Sequence, residues 1–248
     1  METITSRKNS RVQALRALGR NKAYRREQGL FLCDGEKLLS EALANGADIA
    51  EIYLRGAKPA GNMPEVPVYS LSEDVFDYAS PLEHSPGPLF TVRAKPLPES
   101  VRPERVIVLE NVQDPGNVGT VIRTAAALGF DTVILCGACA DVYSPKTARA
   151  TMGAIFRENI VRMDIAAAAE YIHSRGMKLY GAVLSERAAD IRAAELKNAV
   201  VAIGSEGRGL SAELLSLCDG EVIIPMTPGS ESFNAAIAAA IVMWEIVR

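Results

Sequence analysis

Residues 106–136 read VIVLENVQDPGNVGTVIRTAAALGFDTVILC, and the way this stretch folds decides the architecture of the second half of the chain. Residues 106–109 and 132–136 are short, unbroken apolar runs, the pattern of strands covered on both faces. Between them a glycine-bearing turn, 110-ENVQDPGNVG-119, leads into an apolar helix placed after Asn117. Strand, helix and strand in this order make a parallel crossover. The alternation continues with helices near 144–150 and 165–174, strands at 178–183 and 200–203, a helix from Ser211, a strand at 221–224 and a closing helix at 232–247. The prediction is an α/β domain on a mostly parallel sheet.

Three glycine-bearing loops fall where parallel strands should end, the edge at which open α/β sheets bind ligands: 110–119, 204-GSEGRGL-210 and 225-PMTPGSESFN-234. None is a nucleotide cradle. No GxxxxGK[ST] string occurs, Gly116-Asn-Val-Gly119 has the wrong spacing for GxGxxG, and 207-GRGLSA-212 begins three residues after its strand. What the loops offer are polar groups: Asn117 and Arg123; Ser205, Glu206 and Arg208; Ser232 and Asn234. As structural residues, Asn117, Ser211 and Ser232 would be helix N-caps. Arg123 is different, because a guanidinium six residues into an apolar helix demands a partner. Glu206 is the candidate.

Upstream, residues 1–94 read as a smaller α/β unit: a helix over 11–20 capped by Ser10, a strand at 29–33, a helix at 36–44, strands at 49–54, 66–71 and 89–92, and a helix near 72–78. Residues 95–105, KPLPESVRPER, have the proline-rich, charged composition of a connector. The expected division is therefore 1–94, a linker 95–105, and 106–248. Formal net charge is −3, yet residues 1–30 hold eight basic side chains against Glu2 and Glu27. That segment is a localised basic face suited to nucleic-acid phosphate. Four cysteines are too few for a disulfide framework, and 136-CGAC-139 has no second CxxC and no nearby histidine, so buried free thiols are expected rather than a metal centre. No apolar stretch reaches the roughly 18 residues of a membrane span, and METITSRKNSRVQ lacks a secretory core. The expected compartment is the cytoplasm.

The strings 114-DPGNVGTVIRTAAALGF-130, 142-VYSPKTARATMGAIF-156, 204-GSEGRGL-210 and 224-IPMTPGSESFNAAIAAA-240 closely resemble, in order, the signature segments of the SpoU (TrmH-like) RNA 2′-O-methyltransferases. Residues 6–43 are similar to the substrate-binding domain of that family's rRNA branch. The resemblance implies a SPOUT fold whose C-terminal segment forms a trefoil knot, a homodimer, and S-adenosylmethionine as cofactor. It implies cofactor contacts at Gly204, Ile224, Pro225, Met226 and Phe233, and catalytic roles for Arg123, Asn117, Glu206, Ser232 and Asn234. RNA contacts are expected from Arg7, Lys8, Arg11, Arg25, Arg26 and Arg149. The implied reaction is methylation of a ribose hydroxyl in rRNA, with tRNA as the alternative substrate and a catalytically inactive RNA-binding member as the other reading. The sequence departs from the family pattern at Phe233, where leucine is usual, and at Asp34-Gly35, where Glu-Gly is commoner.

Overall fold

The computed structural model describes residues 2–56, 65–94, 105–227, 229 and 231–248. In chain order the first elements are β1 (Glu2–Ile4), α1 (Ser10–Arg20), α2 (Lys22–Gln28), β2 (Leu30–Asp34), α3 (Glu36–Ala44), β3 (Ile49–Arg55), β4 (Val68–Leu71), α4 (Glu73–Ala79) and β5 (Leu89–Arg93). Then follow β6 (Val106–Glu110), α5 (Pro115–Ala127), β7 (Thr132–Cys136), α6 (Pro145–Ala150), a 3-10 turn (Ala154–Phe156), β8 (Asn159–Met163) and α7 (Ile165–His173). The chain closes with β9 (Lys178–Ala182), β10 (Ala189–Asp190), β11 (Ala199–Ile203), α8 (Ala212–Ser216), β12 (Gly220–Ile223) and α9 (Ala235–Val247).

The chain forms two compact units, residues 1–96 with 141–156, and residues 97–140 with 157–248. In the first, five strands lie in the order β1-β4-β3-β5-β2, with β4 parallel to β1 and β3, and β5 antiparallel to β3 and β2. Helix α1 buries Val12, Leu15 and Leu18, spaced three apart, into a core shared with Leu32, Tyr53, Phe76 and Leu89. Its cap is Asn9, whose side chain accepts from Arg11 N at 2.9 Å, not Ser10. Helix α2 was not expected, since KAYRREQ has no apolar period; Asn21 caps its start and Gly29, left-handed at φ 62°, ends it.

Residues 141–156 correct the predicted division. They belong to the first unit because their partners are there: Asp141 pairs with the buried Arg25 at 2.6 Å, and the Phe31 ring lies 4.8 Å from Tyr143 and 6.4 Å from Phe156. Gly153, at φ +96°, fits under Glu41 so tightly that a Cβ there would lie 2.5 Å from the Glu41 Cβ. The predicted connector lies outside the described residues except for Arg105.

The second unit holds a seven-stranded parallel sheet in the order β10-β12-β9-β11-β6-β7-β8. Its middle strands β6, β7 and β11 are buried at every position, as their continuous apolar sequence requires. Strand β8 escaped sequence reading because it is half-exposed and carries Arg162, and β10 is only two residues long. Between β6 and β11 the strand order reverses direction, so the loops leaving both emerge side by side.

Candidate active site

Besides that of α1, two caps differ from expectation, those of α5 and α9, and each difference leaves a polar side chain outside the cap. Helix α5 starts at Pro115, with Asp114 accepting from Asn117 N at 3.0 Å. A Cβ on Gly116 would lie 2.8 Å from Asp114 Oδ1, so glycine there makes room for the cap. Asn117 therefore does not cap its helix. At α9 the cap is Asn234, which accepts from Ala236 N and Ile237 N, and Ser232 stands outside the helix. Ser211 caps α8 as expected.

Asn117, freed from capping, and the cap residue Asn234 converge on Glu206. Asn117 Nδ2 donates to Glu206 Oε1 at 2.6 Å, and Asn234 Nδ2 donates to the same oxygen at 2.6 Å and to Asn117 Oδ1 at 3.1 Å. The start of α5, the loop after β11 and the start of α9 are thus joined through one carboxylate oxygen. Charge-assisted bonds of this kind are the strong ones. Glu206 Oε2 makes no hydrogen bond among the described residues.

Beside this cluster opens a cleft of about 620 Å³. Gly204, Glu206, Ile224, Met226, Ser232 and Phe233 line it, while Pro225 does not. The loop 204–210 folds on itself through paired backbone bonds, Ser205 N to Gly209 O at 3.2 Å and Gly209 N to Ser205 O at 2.9 Å. Gly207 and Gly209 leave bare backbone in the lining, since a Cβ on either would meet nothing within 4 Å. Sequence reasoning missed Ala182, which ends β9, and Val183 and Leu184, which follow it; all three line the cleft. They also sit at a strand's C-terminal end, but they are apolar and offer no polar group to read. Leu184 and Phe233 are 61% and 38% exposed, large apolar surfaces aimed at a cleft.

Arg123 is not paired with Glu206. Helix α5 buries Val118, Val121, Ile122 and Ala125, and position 123 falls on its exposed side, with no hydrogen bond or ion pair among the described residues. Of the expected RNA contacts, Arg25 is only 7% exposed; it pairs with Asp141 and donates to Leu18 O at 2.6 Å, so it is a structural residue. Arg7 and Arg11 are engaged by Asp74 and Glu51, whereas Lys8, Arg26 and Arg149 are exposed. Cys136 and Cys139 are buried free thiols. Burial pushes Cys136 up to about 12, and Cys139 donates to Leu109 O and Cys136 O at 3.3 Å each. Among the described residues no group of three His, Cys, Asp or Glu is placed to hold a metal ion.

Residues 104–244 match the model of the SpoU rRNA Methylase family, more than half the chain. The chain belongs to the SpoU rRNA methylase family. Residues 9–89 match the MRM3-like substrate binding domain. Among relatives, the 23S rRNA (guanosine(2553)-2′-O)-methyltransferase RlmP of Bacillus subtilis is 32% identical over 99% of each chain. Two similar solved structures contain AdoMet. One is the SpoU methyltransferase AviRb from Streptomyces viridochromogenes, at TM-score 0.88 and 27% identity over 97% of each chain. The other is an rRNA methyltransferase from Sinorhizobium meliloti, at TM-score 0.87 and 28% identity over 99% of this chain and 97% of that one.

Proposed function

We propose that this SpoU family member transfers a methyl group from S-adenosylmethionine to a ribose 2′-hydroxyl of rRNA. The observation that carries the reading is the juxtaposition of an apolar, glycine-walled cleft with a polar cluster built around Glu206. The cleft fits the cofactor. Bare backbone at Gly207 and Gly209 can face polar ligand edges, and Leu184, Met226 and Phe233 supply the apolar walls an adenine ring needs. When bound, S-adenosylmethionine supplies an electrophilic methyl carbon on a sulfonium.

Transfer of that carbon is an in-line displacement, so the main task of the chain is to hold the accepting oxygen in place. Arg123 is not the base, because a guanidinium offers N–H donors and no acceptor atom. We assign proton acceptance to Glu206 Oε2: Asn117 and Asn234 hold the carboxylate through Oε1 and leave the second oxygen open. Arg123, exposed on α5, acts through charge on the ribose hydroxyl or its neighbouring phosphate. The test incubates the protein with methyl-labelled S-adenosylmethionine and an unmodified 23S rRNA transcript. The expected product is label in an alkali-resistant dinucleotide; label on a base, or none, overturns the reading.

The cap residue of α8, which directly follows the loop 204–210, is tied to Glu110. This residue is fully buried, its Oε2 accepts from Ser211 N at 2.8 Å, and its Oε1 has no partner among the described residues. Glu110→Ala is expected to weaken S-adenosylhomocysteine binding about tenfold, roughly 1.4 kcal/mol. Glu110→Gln, which keeps an acceptor, should restore most of it in the same calorimetric titration.

The reading extends to a knotted C-terminal segment, a homodimer and a cytoplasmic location, where rRNA is met and four unpaired cysteines stay reduced. Ile237 and Trp244, 50% and 60% exposed and seven residues apart on α9, support the dimer. Trp244→Glu is expected to shift the species seen by light scattering from dimer to monomer; a wild-type monomer would rule the dimer out.

A further inference from the structure

The eight basic side chains of residues 1–30 divide into two groups. Arg7 pairs with Asp74 at 3.5 Å and Arg11 with Glu51. Arg16 donates to Tyr78 O at 2.8 Å and lies 3.8 Å from that ring's centroid, and Arg25 is buried on Asp141. These four are spent inside the first unit. Lys8, Arg20, Lys22 and Arg26 are exposed, and their side chains make no hydrogen bond or ion pair among the described residues.

Three of the unspent four are close together. Arg20 ends α1 and Lys22 begins α2, with Arg26 one turn on, whereas Lys8 lies beyond the far end of α1, a helix roughly 16 Å long. Lys22 and Arg26 stand i,i+4, about 6 Å apart along the axis, where like charges repel. Lys22 also faces the positive end of its own helix dipole, and no acid lies in that first turn. Glu27 is the one carboxylate in residues 20–28. The α1–α2 corner thus presents three exposed positive charges, none with a side-chain hydrogen bond or ion pair among the described residues.

We infer that this α1–α2 corner, Arg20 with Lys22 and Arg26, is where the substrate RNA backbone docks, and that Arg7, Arg11 and Arg25 are not RNA contacts. The inference rests on the rRNA reading above. A polyanion with evenly spaced phosphates is the partner that relieves mutual repulsion along one exposed edge, and binding to it releases counterions.

The test measures affinity of the full-length protein for an unmodified 23S rRNA transcript across a KCl series. The corner variant carries Arg20→Ser, Lys22→Ser and Arg26→Ser; the control carries Arg7→Ser, Arg11→Ser and Arg16→Ser. The corner variant should lose at least about tenfold in affinity at low salt, and its plot of log K against log salt should be shallower by about two, the share of three phosphate contacts. The control should keep the wild-type slope. S-adenosylhomocysteine affinity and melting temperature should be unchanged in the corner variant, whose substitutions are all exposed. A corner variant with wild-type affinity and slope, or a control that loses as much, overturns the assignment while wild-type binding still upholds the rRNA reading. A wild-type protein with no salt-dependent affinity for the transcript overturns both.

Discussion

Replacing Gly204 with alanine should abolish S-adenosylhomocysteine binding. A Cβ at this position would lie 2.2 Å from Gly209 C and 2.4 Å from both Gly209 O and Leu210 N. All three are backbone atoms, so no rotamer change relieves the clash. The loop would have to open, breaking the Ser205–Gly209 bonds that close it and moving Leu210, which is buried against the sheet. Overpacking against backbone costs more than the usual 1–3 kcal/mol of a crowded side chain. We expect at least a hundredfold loss of affinity, about 2.7 kcal/mol, in calorimetric titration. Gly207→Ala separates shape from folding, because its Cβ would have open space and can intrude only on the cleft. Wild-type affinity in Gly204→Ala would mean that the loop's closed form is not the binding form.

Arg25→Ala is expected to cost about 3–5 kcal/mol, the penalty for leaving one partner of a buried ion pair alone. Arg25 is anchored at Nε and Nη2 to Asp141 Oδ2, at 3.0 and 2.6 Å, and at Nη1 to Leu18 O. Alanine would strand both acceptors, and Asp141 is itself only 17% exposed. The midpoint of thermal unfolding should fall on the order of 10 °C. Arg26→Ala, one residue on and exposed, should leave the midpoint almost unmoved. Equal midpoints for the two variants would show that position 25 is not a structural tie.

The parallel sheet was legible in the sequence because its central strands are buried on both faces, which leaves an unbroken apolar signature at 106–109, 132–136 and 200–203. The two mistaken caps beside the cleft have a common cause. Asp114 and Asn117, like Ser232 and Asn234, are both competent cap residues within a few positions of a helix start, and local chemistry does not choose between them. At α5 the choice leaves Asn117 for Glu206, whereas at α9 the cap Asn234 itself reaches that carboxylate through its Nδ2. The expected Arg123–Glu206 pair failed for a related reason: one step of about 100° past the buried Ile122 carries the side chain out of the core-facing stripe. Helix α2 and strand β8 lack any period to read. The wall formed by residues 182–184 was hidden because Ala-Val-Leu reads as an apolar strand end and carries none of the polar groups that marked the other loops.

The sixteen residues 141–156 make the two units inseparable by a single cut. The polypeptide leaves the first unit near residue 96, returns at 141 and leaves again at 156. A fragment beginning at residue 106 would carry Tyr143 and Phe156 without Phe31, and Asp141 without Arg25. It would expose aromatic surface where the intact chain has a core. Exchange of substrate-binding modules between methyltransferases of this build, in the laboratory or by recombination, therefore has to move two separate stretches of sequence together.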